Sequence, residues 1–304
     1  MGRKIASGKI ASGLTGCDIS IGEPKADASR VARPNVRLGS VVQLECSDRG
    51  QGEAIVLLPA FPFDRRFWSA NTPALVAAGF RVLAVDYPGF GRAAAPPPAD
   101  LSIARIAGGV ADLLDRLRID RATVIGLSMG GYVAFAFAAS FAGRLRALVL
   151  AGTRPAADAP AARQGRAQAL ETIASRGADA YLEQSLPRLL APDAPPALLA
   201  ALRALADDRA DTLAAGIAAL RDRPDRAAEA PRITCPTLLL AGALDQIVPP
   251  AELRALAERM PAARFVELPG AGHLCNLEAR AAFDGHVLDF LRALPGRPAP
   301  GDLR

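Results

Sequence analysis

Short apolar runs alternate along much of this chain with segments whose apolar residues recur at helical spacing. Ala54–Leu58, Arg81–Val85, Ala122–Ile125 and Leu145–Leu150 are almost wholly apolar, the pattern of strands covered on both faces. Between them Phe67–Ala78, Leu101–Leu117 and Met129–Ala142 read as helices. In the second of these, Ile103, Ile106, Val110, Leu113, Leu114 and Leu117 share one face. Strands separated by helices predict right-handed β-α-β units and a parallel sheet with helices on both sides. Upstream, Val36–Cys46 alternates around Val41, Val42 and Leu44 and predicts strands in a hairpin.

The alternation stops after Leu150. Residues 155–230 predict no strand. Ala162–Ser175, Ala178–Leu190, Ala197–Asp207 and Asp211–Leu220 instead carry helical patterns rich in Ala, Leu and Arg. Strands resume at Thr237–Leu240 and Arg264–Leu268, with helices at Ala251–Arg259 and Arg280–Leu294. The expected fold class is α/β: a mostly parallel, doubly wound sheet built from 33–154 and 231–296, interrupted by a helical insertion at 155–230. An insertion leaving the C-terminal ends of parallel strands lies where open sheets bind ligands. It is a candidate lid, and Arg154 at its entrance is a candidate contact for an acidic substrate. Residues 1–32 and 297–304 read as tails. The first holds every lysine of the chain and repeats Lys-Ile-Ala-Ser-Gly at 4–8 and 9–13, so it is expected to be flexible.

Composition narrows the function classes. With 51% hydrophobic and 22% charged residues, the 304-residue chain is globular in character. Its net charge of +5 comes from interspersed charges with no concentrated basic face, so a nucleic-acid partner is not expected. Cys17, Cys46, Cys235 and Cys275 form no C-x-x-C pair and read as reduced thiols rather than a disulfide frame or zinc site. No apolar run reaches the roughly 18 residues of a membrane span. The N-terminus lacks the apolar stretch of a secretory signal. A soluble cytoplasmic protein with no membrane partner is expected.

The candidate chemistry begins at Gly126-Leu127-Ser128-Met129-Gly130. This is G-x-S-x-G set between a buried strand and an apolar helix, the context the motif needs. A serine on so tight a turn tolerates only small residues two before and two after it. The turn also aims the serine at a helix N-terminus, where free N–H groups and the dipole favour an oxyanion. A serine nucleophile needs a base, and the chain has two histidines. His273 follows a strand in the Gly-rich loop Pro269-Gly270-Ala271-Gly272, whereas His286 sits at the edge of an apolar helical stripe between Phe283 and Phe290 and reads as structural. The base needs a carboxylate to orient it. Asp245 follows the Leu238–Leu240 run and completes the order Ser, Asp, His. Asp86, which also ends a strand, is the rival carboxylate.

Gly126–Gly131, the Asp86-Tyr87-Pro88-Gly89-Phe90-Gly91 turn, Asp245–Pro250 and Gly270–Glu278 together resemble the α/β-hydrolase family. The resemblance is closest to the branch of 3-oxoadipate enol-lactonases, small carboxylesterases and cofactor-free haloperoxidase-like enzymes, and it covers roughly residues 36–294. It implies a serine hydrolase of small esters or lactones that works through an acyl-enzyme without metal or organic cofactor. Carbon–carbon bond hydrolysis, perhydrolysis and non-catalytic ligand reception are the alternatives. It further implies that the Phe61 and Met129 N–H groups form the oxyanion hole. The family's His-Gly at the start of that loop is replaced by Pro59-Ala60. A serine rather than an aspartate at 128 argues against dehalogenase or epoxide-hydrolase chemistry, which needs a carboxylate to form an alkyl ester.

Overall fold

The computed structural model of the chain describes residues 42–91 and 96–295. The expectations for 1–32, 33–41 and 297–304 lie outside the described residues. Seven strands form one sheet: β1 (Glu45–Arg49), β2 (Glu53–Leu58), β3 (Phe80–Asp86), β4 (Ala122–Leu127), β5 (Leu145–Ala151), β6 (Thr237–Gly242) and β7 (Ala263–Leu268). Their order is β1-β3-β2-β4-β5-β6-β7. β1 runs antiparallel to β3, and every other pairing is parallel. The apolar runs of β4 and β6 are buried at every position, as strands sandwiched between helices require.

The helices supply those two covers. α1 (Thr72–Ala77) contacts α9 (Arg280–Arg292), while α2 (Ile103–Arg116) contacts α3 (Met129–Phe141). Right-handed crossovers put the first pair on one face and the second on the other, because β2-α1-β3 steps along the sheet in the opposite sense to β4-α3-β5. Ser102 caps α2 by accepting the Arg105 N–H at 3.3 Å. α3 has no polar side: residues 129–138 are all buried, which marks it as the central helix.

One expectation changes. The predicted helix Phe67–Ala78 is a 3₁₀ turn at Arg65–Trp68 followed by α1. Asp64 caps the turn by accepting the Arg66 N–H at 2.7 Å, and Pro73 sits in the first turn of α1, so the chain restarts instead of continuing one helix. Of the hairpin expected within 36–46, residues 36–41 lie outside the described residues. β1 begins at Glu45 and pairs across β3, with Glu45 opposite Asp86.

Between β5 and β6 lie three helices: α4 (Pro160–Ser185), α5 (Pro196–Leu205) and α6 (Ala210–Arg221). α4 is broken at Gly177, whose φ of 86° and ψ of 172° are not helical. It therefore acts as the two helices the periodicity predicts. A pair of short segments follows β6, namely α7 (Pro250–Arg259) and, after β7, the single turn α8 (Cys275–Glu278). No described helix is long and apolar enough to cross a membrane.

Candidate active site

Ser128 stands between β4 and α3 with φ 54° and ψ −112°. A non-glycine residue in this region stores roughly 1–3 kcal/mol of backbone strain, and the surroundings hold it there. A Cβ at Gly126 would run into the Gly130 carbonyl, and one at Gly130 into the Leu58 carbonyl. Both glycines are therefore required by contact between backbones. The Ser128 N–H donates to the Ala151 carbonyl at 2.9 Å. Its own carbonyl accepts Gly131 N–H at 2.9 Å and the buried Thr153 hydroxyl at 3.0 Å.

Asp245 and His273 meet because the β6–β7 ladder continues past its strands. Ala243 N–H donates to Leu268 at 2.9 Å and Leu244 N–H to Ala271 at 2.8 Å. Gly242 lies so close to Ala271 and Gly272 that a side chain there would collide with both. The result is a buried pair in which His273 Nδ1 is 2.8 Å from Asp245 Oδ2. The other oxygen, Oδ1, accepts the Ile247 and Val248 N–H groups at 2.8 and 2.9 Å. The carboxylate is thus oriented by its own loop before it orients the imidazole. His273 Nε2 is buried and has no hydrogen-bond partner, so this nitrogen is open to take a proton.

The segment Ala151-Gly152-Thr153 links the two halves. Ala151 and Thr153 hold the Ser128 backbone, and the His273 ring lies against Gly152, whose φ is +50°. Sequence reasoning missed this hub. Its only signal is a trio of small residues directly after β5.

Of the remaining candidates, Phe61 belongs to the loop after β2 and Met129 is the first residue of α3. The Phe61 ring is buried edge-on to Phe90, 6.0 Å between centroids, and tilted against Tyr181 at 6.3 Å. Its loop is held by Tyr87, whose hydroxyl donates to the Pro59 carbonyl at 2.9 Å. Burial pushes the Tyr87 phenol well above its ordinary range, so it acts as a neutral donor. Asp86 is engaged elsewhere: it accepts the Arg65 N–H at 2.8 Å, and its second oxygen lies 3.3 Å from Arg65 Nε. Burial raises its carboxyl above the usual range. β2 separates β3 from β4, so the rival carboxylate ends on the far side of the sheet from β6 and β7. His286 is half-buried on α9.

Arg154 is engaged with the acid loop. Its guanidinium lies 3.1 Å from Glu252 and donates to the Ile247 carbonyl, in the same turn whose N–H groups hold Asp245. The arginine placed by sequence at the entrance of the helical insertion thus braces a loop of the core.

The insertion is stitched to the core along several seams. Asp207 N–H donates to the Pro62 carbonyl at 3.0 Å, and Phe63 bridges Ala206. The Asp207 carboxylate accepts Gly91 N–H at 3.1 Å, and the Thr212 hydroxyl donates to Gly89 at 3.0 Å. At the stem, the buried Arg223 pairs with Asp158 at 2.7 Å and stacks 4.1 Å over the Tyr132 ring.

Known proteins share this fold. The alpha/beta hydrolase fold family matches residues 53–279. A thermophilic esterase from Thermogutta terrifontis superposes with a TM-score of 0.78 at 33% identity, covering 83% of this chain and 94% of that one. The enol-lactonase from Burkholderia xenovorans LB400 superposes with a TM-score of 0.74 at 32% identity, covering 83% and 99%. Variovorax paradoxus (strain S110) has a relative provisionally named carbamate hydrolase RutD, 33% identical over 256 residues, or 82% of this chain and 96% of that one. With the family matched over most of its length and these relatives aligned end to end, the chain belongs to the alpha/beta hydrolase fold family.

Proposed function

We propose that the protein is a serine hydrolase of small carboxylic esters or lactones, with Ser128 as nucleophile, His273 as general base and Asp245 as its orienting carboxylate. The observation that carries this reading is the buried His273–Asp245 pair at 2.8 Å, whose outer nitrogen has no partner, joined through Ala151-Gly152-Thr153 to a serine on a strained strand-to-helix turn. Ser128 Oγ attacks the carbonyl carbon while its proton passes to His273 Nε2. The imidazolium then gives that proton to the leaving alkoxide, and water repeats the sequence to release the acid. The Phe61 and Met129 N–H groups stabilise the oxyanion, each donor being worth about 10²–10³ in rate. Neither depends on the side chain at 59 or 60, which is why Pro59-Ala60 can stand where relatives of the resembling branch have His-Gly. The Phe61–Phe90–Tyr181 cluster places apolar rings at the loop that bears the proposed Phe61 donor, which suits a small acyl or alkyl group.

A panel of short chromogenic esters, lactones, enol-lactones and an aryl carbamate tests this reading, alongside fluorophosphonate labelling read by intact mass and peptide mapping. The expected result is turnover of an ester or lactone and one label on Ser128. Carbamate turnover alone would redirect the substrate class but keep the triad. Folded protein with neither turnover nor label would overturn the hydrolase reading in favour of ligand reception.

A further inference from the structure

The loop that carries His273 holds a second carboxylate. Glu278 closes α8, five residues beyond His273. Its Oε2 accepts the N–H of Ala191 at 2.7 Å, a buried residue in the link between α4 and α5. Around this bond the link and the loop lie directly on each other. Leu274 N–H donates to the Leu189 carbonyl at 3.1 Å, and a Cβ on Gly272 would strike the backbone of Leu190 and Ala191. Glu278 is therefore the polar side chain that ties the insertion to the histidine loop.

Its other oxygen does something different. Oε1 is buried without a close hydrogen bond of its own, and the Gly272 and Leu274 N–H groups on either side of His273 face the same carboxylate, so its charge is held toward the histidine. The charged or titratable groups around it are few. His273 and the Cys275 thiol lie on its own segment, and Asp245 acts on the same thiol from the β6 side. Leu189, Leu190 and Ala191 bring no charge. Burial raises the Glu278 carboxyl above its ordinary range, opposed by the Ala191, Gly272 and Leu274 N–H groups and by His273, and His273 is the group whose charge changes in the reaction.

We infer that Glu278 is a positioning residue for His273: one oxygen anchors the loop to the insertion, and the other keeps a fixed negative charge beside the imidazole. When Ser128 Oγ bonds to the carbonyl carbon and its proton moves to His273 Nε2, the imidazolium is held in the field of two carboxylates, Asp245 and Glu278. No proton passes to Glu278. The inference rests on the triad reading above, and its test separates the two.

Glu278→Gln keeps an oxygen to accept the Ala191 N–H but removes the charge. The expected result is a melting temperature within a few degrees of the parent and a kcat about tenfold lower at unchanged KM. The acid limb of the pH–rate profile should move down by roughly one pH unit, the scale of a partly buried charge pair. Glu278→Ala, which also loses the anchor, should lower the melting temperature further. The chain has two histidines, so the ring resonances of His273 can be followed by NMR once those of His286 are identified with His286→Gln. Their midpoint should fall by a similar amount in Glu278→Gln, whether or not any ester is turned over. A shifted midpoint in a protein without turnover would leave the Glu278 assignment standing and remove the hydrolase reading. Turnover with an unchanged profile and unchanged midpoint in Glu278→Gln would overturn the assignment and leave Glu278 a packing residue.

Discussion

Ser128 carries one hydroxyl and a backbone held by four neighbours, Ala151, Gly131, Tyr132 and Thr153, and the two can be probed separately. Ser128→Ala should remove ester turnover by several orders of magnitude with little change in melting temperature, because the side chain is partly exposed and its loss opens no core cavity. A residual rate of roughly 10³–10⁴ over water is expected from the oxyanion hole and binding. His273→Ala should be comparably damaging in the same assay, whereas His286→Ala should leave turnover nearly intact. Thr153→Val tests the backbone. The methyl that replaces the hydroxyl keeps the packing on Gly131 but removes the 3.0 Å bond to the Ser128 carbonyl. Thermal unfolding should register a loss of about 1 kcal/mol, some 2–4 °C for a domain of this size, together with slower turnover as the elbow relaxes. A variant equal to the parent in both would show that the Ala151, Gly131 and Tyr132 bonds fix the turn without the Thr153 hydroxyl.

At the scale of elements, the stem of the helical insertion offers the sharpest measurement. Asp158 and Arg223 are both nearly buried, and Arg166 lies 3.3 Å from the second Asp158 oxygen. Burial by itself would raise the Asp158 carboxyl, but the Arg223 and Arg166 guanidiniums outweigh it and hold it below the usual carboxylate range. A depressed folded-state value contributes stability that is present above the unfolded range, near pH 4, and is lost as pH falls through the folded value. Asp158→Asn should therefore lower the melting temperature most at neutral pH, and the gap to the parent should narrow below about pH 4. Arg223→Met removes one partner of a buried pair, a loss of about 3–5 kcal/mol, and should lower melting by roughly 10 °C. An equal deficit for Asp158→Asn at pH 7 and pH 3 would contradict the ionic account. Elements of this kind differ in how far they can be read from sequence. β2–β6 and the Ser128, Asp245 and His273 loops were legible because apolar runs and Gly-rich turns are local patterns. The Phe67–Ala78 helix was misjudged because helical spacing does not show that Asp64 starts a 3₁₀ turn which closes at Trp68 before a new helix starts at Thr72. The pairing of β1 with β3 was not legible because alternation specifies a face and leaves the neighbouring strand open. Thr153, Gly152 and Glu278 went unread because their roles exist only between segments distant in the chain.

Across the whole molecule, the insertion and the sheet contact each other through backbone bonds as well as side chains. Asp207 to Pro62, Leu274 to Leu189 and Ala191 to Glu278 join the insertion to the loop after β2 and to the histidine loop. A cover held this way is expected to unfold with the core rather than to swing as a separate flap. Native-state hydrogen exchange checks this. The amides of Asp207, Leu274 and Ala191 should exchange about as slowly as those of β4 and β5, and much faster exchange at these three would reveal an independently opening lid. One further consequence follows from the contact between Gly130 and the Leu58 carbonyl. It sets main chain directly on main chain where the helix bearing Met129 meets the strand leading to Phe61, so no intervening side chain adjusts their separation. Mutational drift among the surrounding residues, in a natural lineage or a directed-evolution library, can then reshape the walls of the pocket while the spacing of the two amides is inherited unchanged.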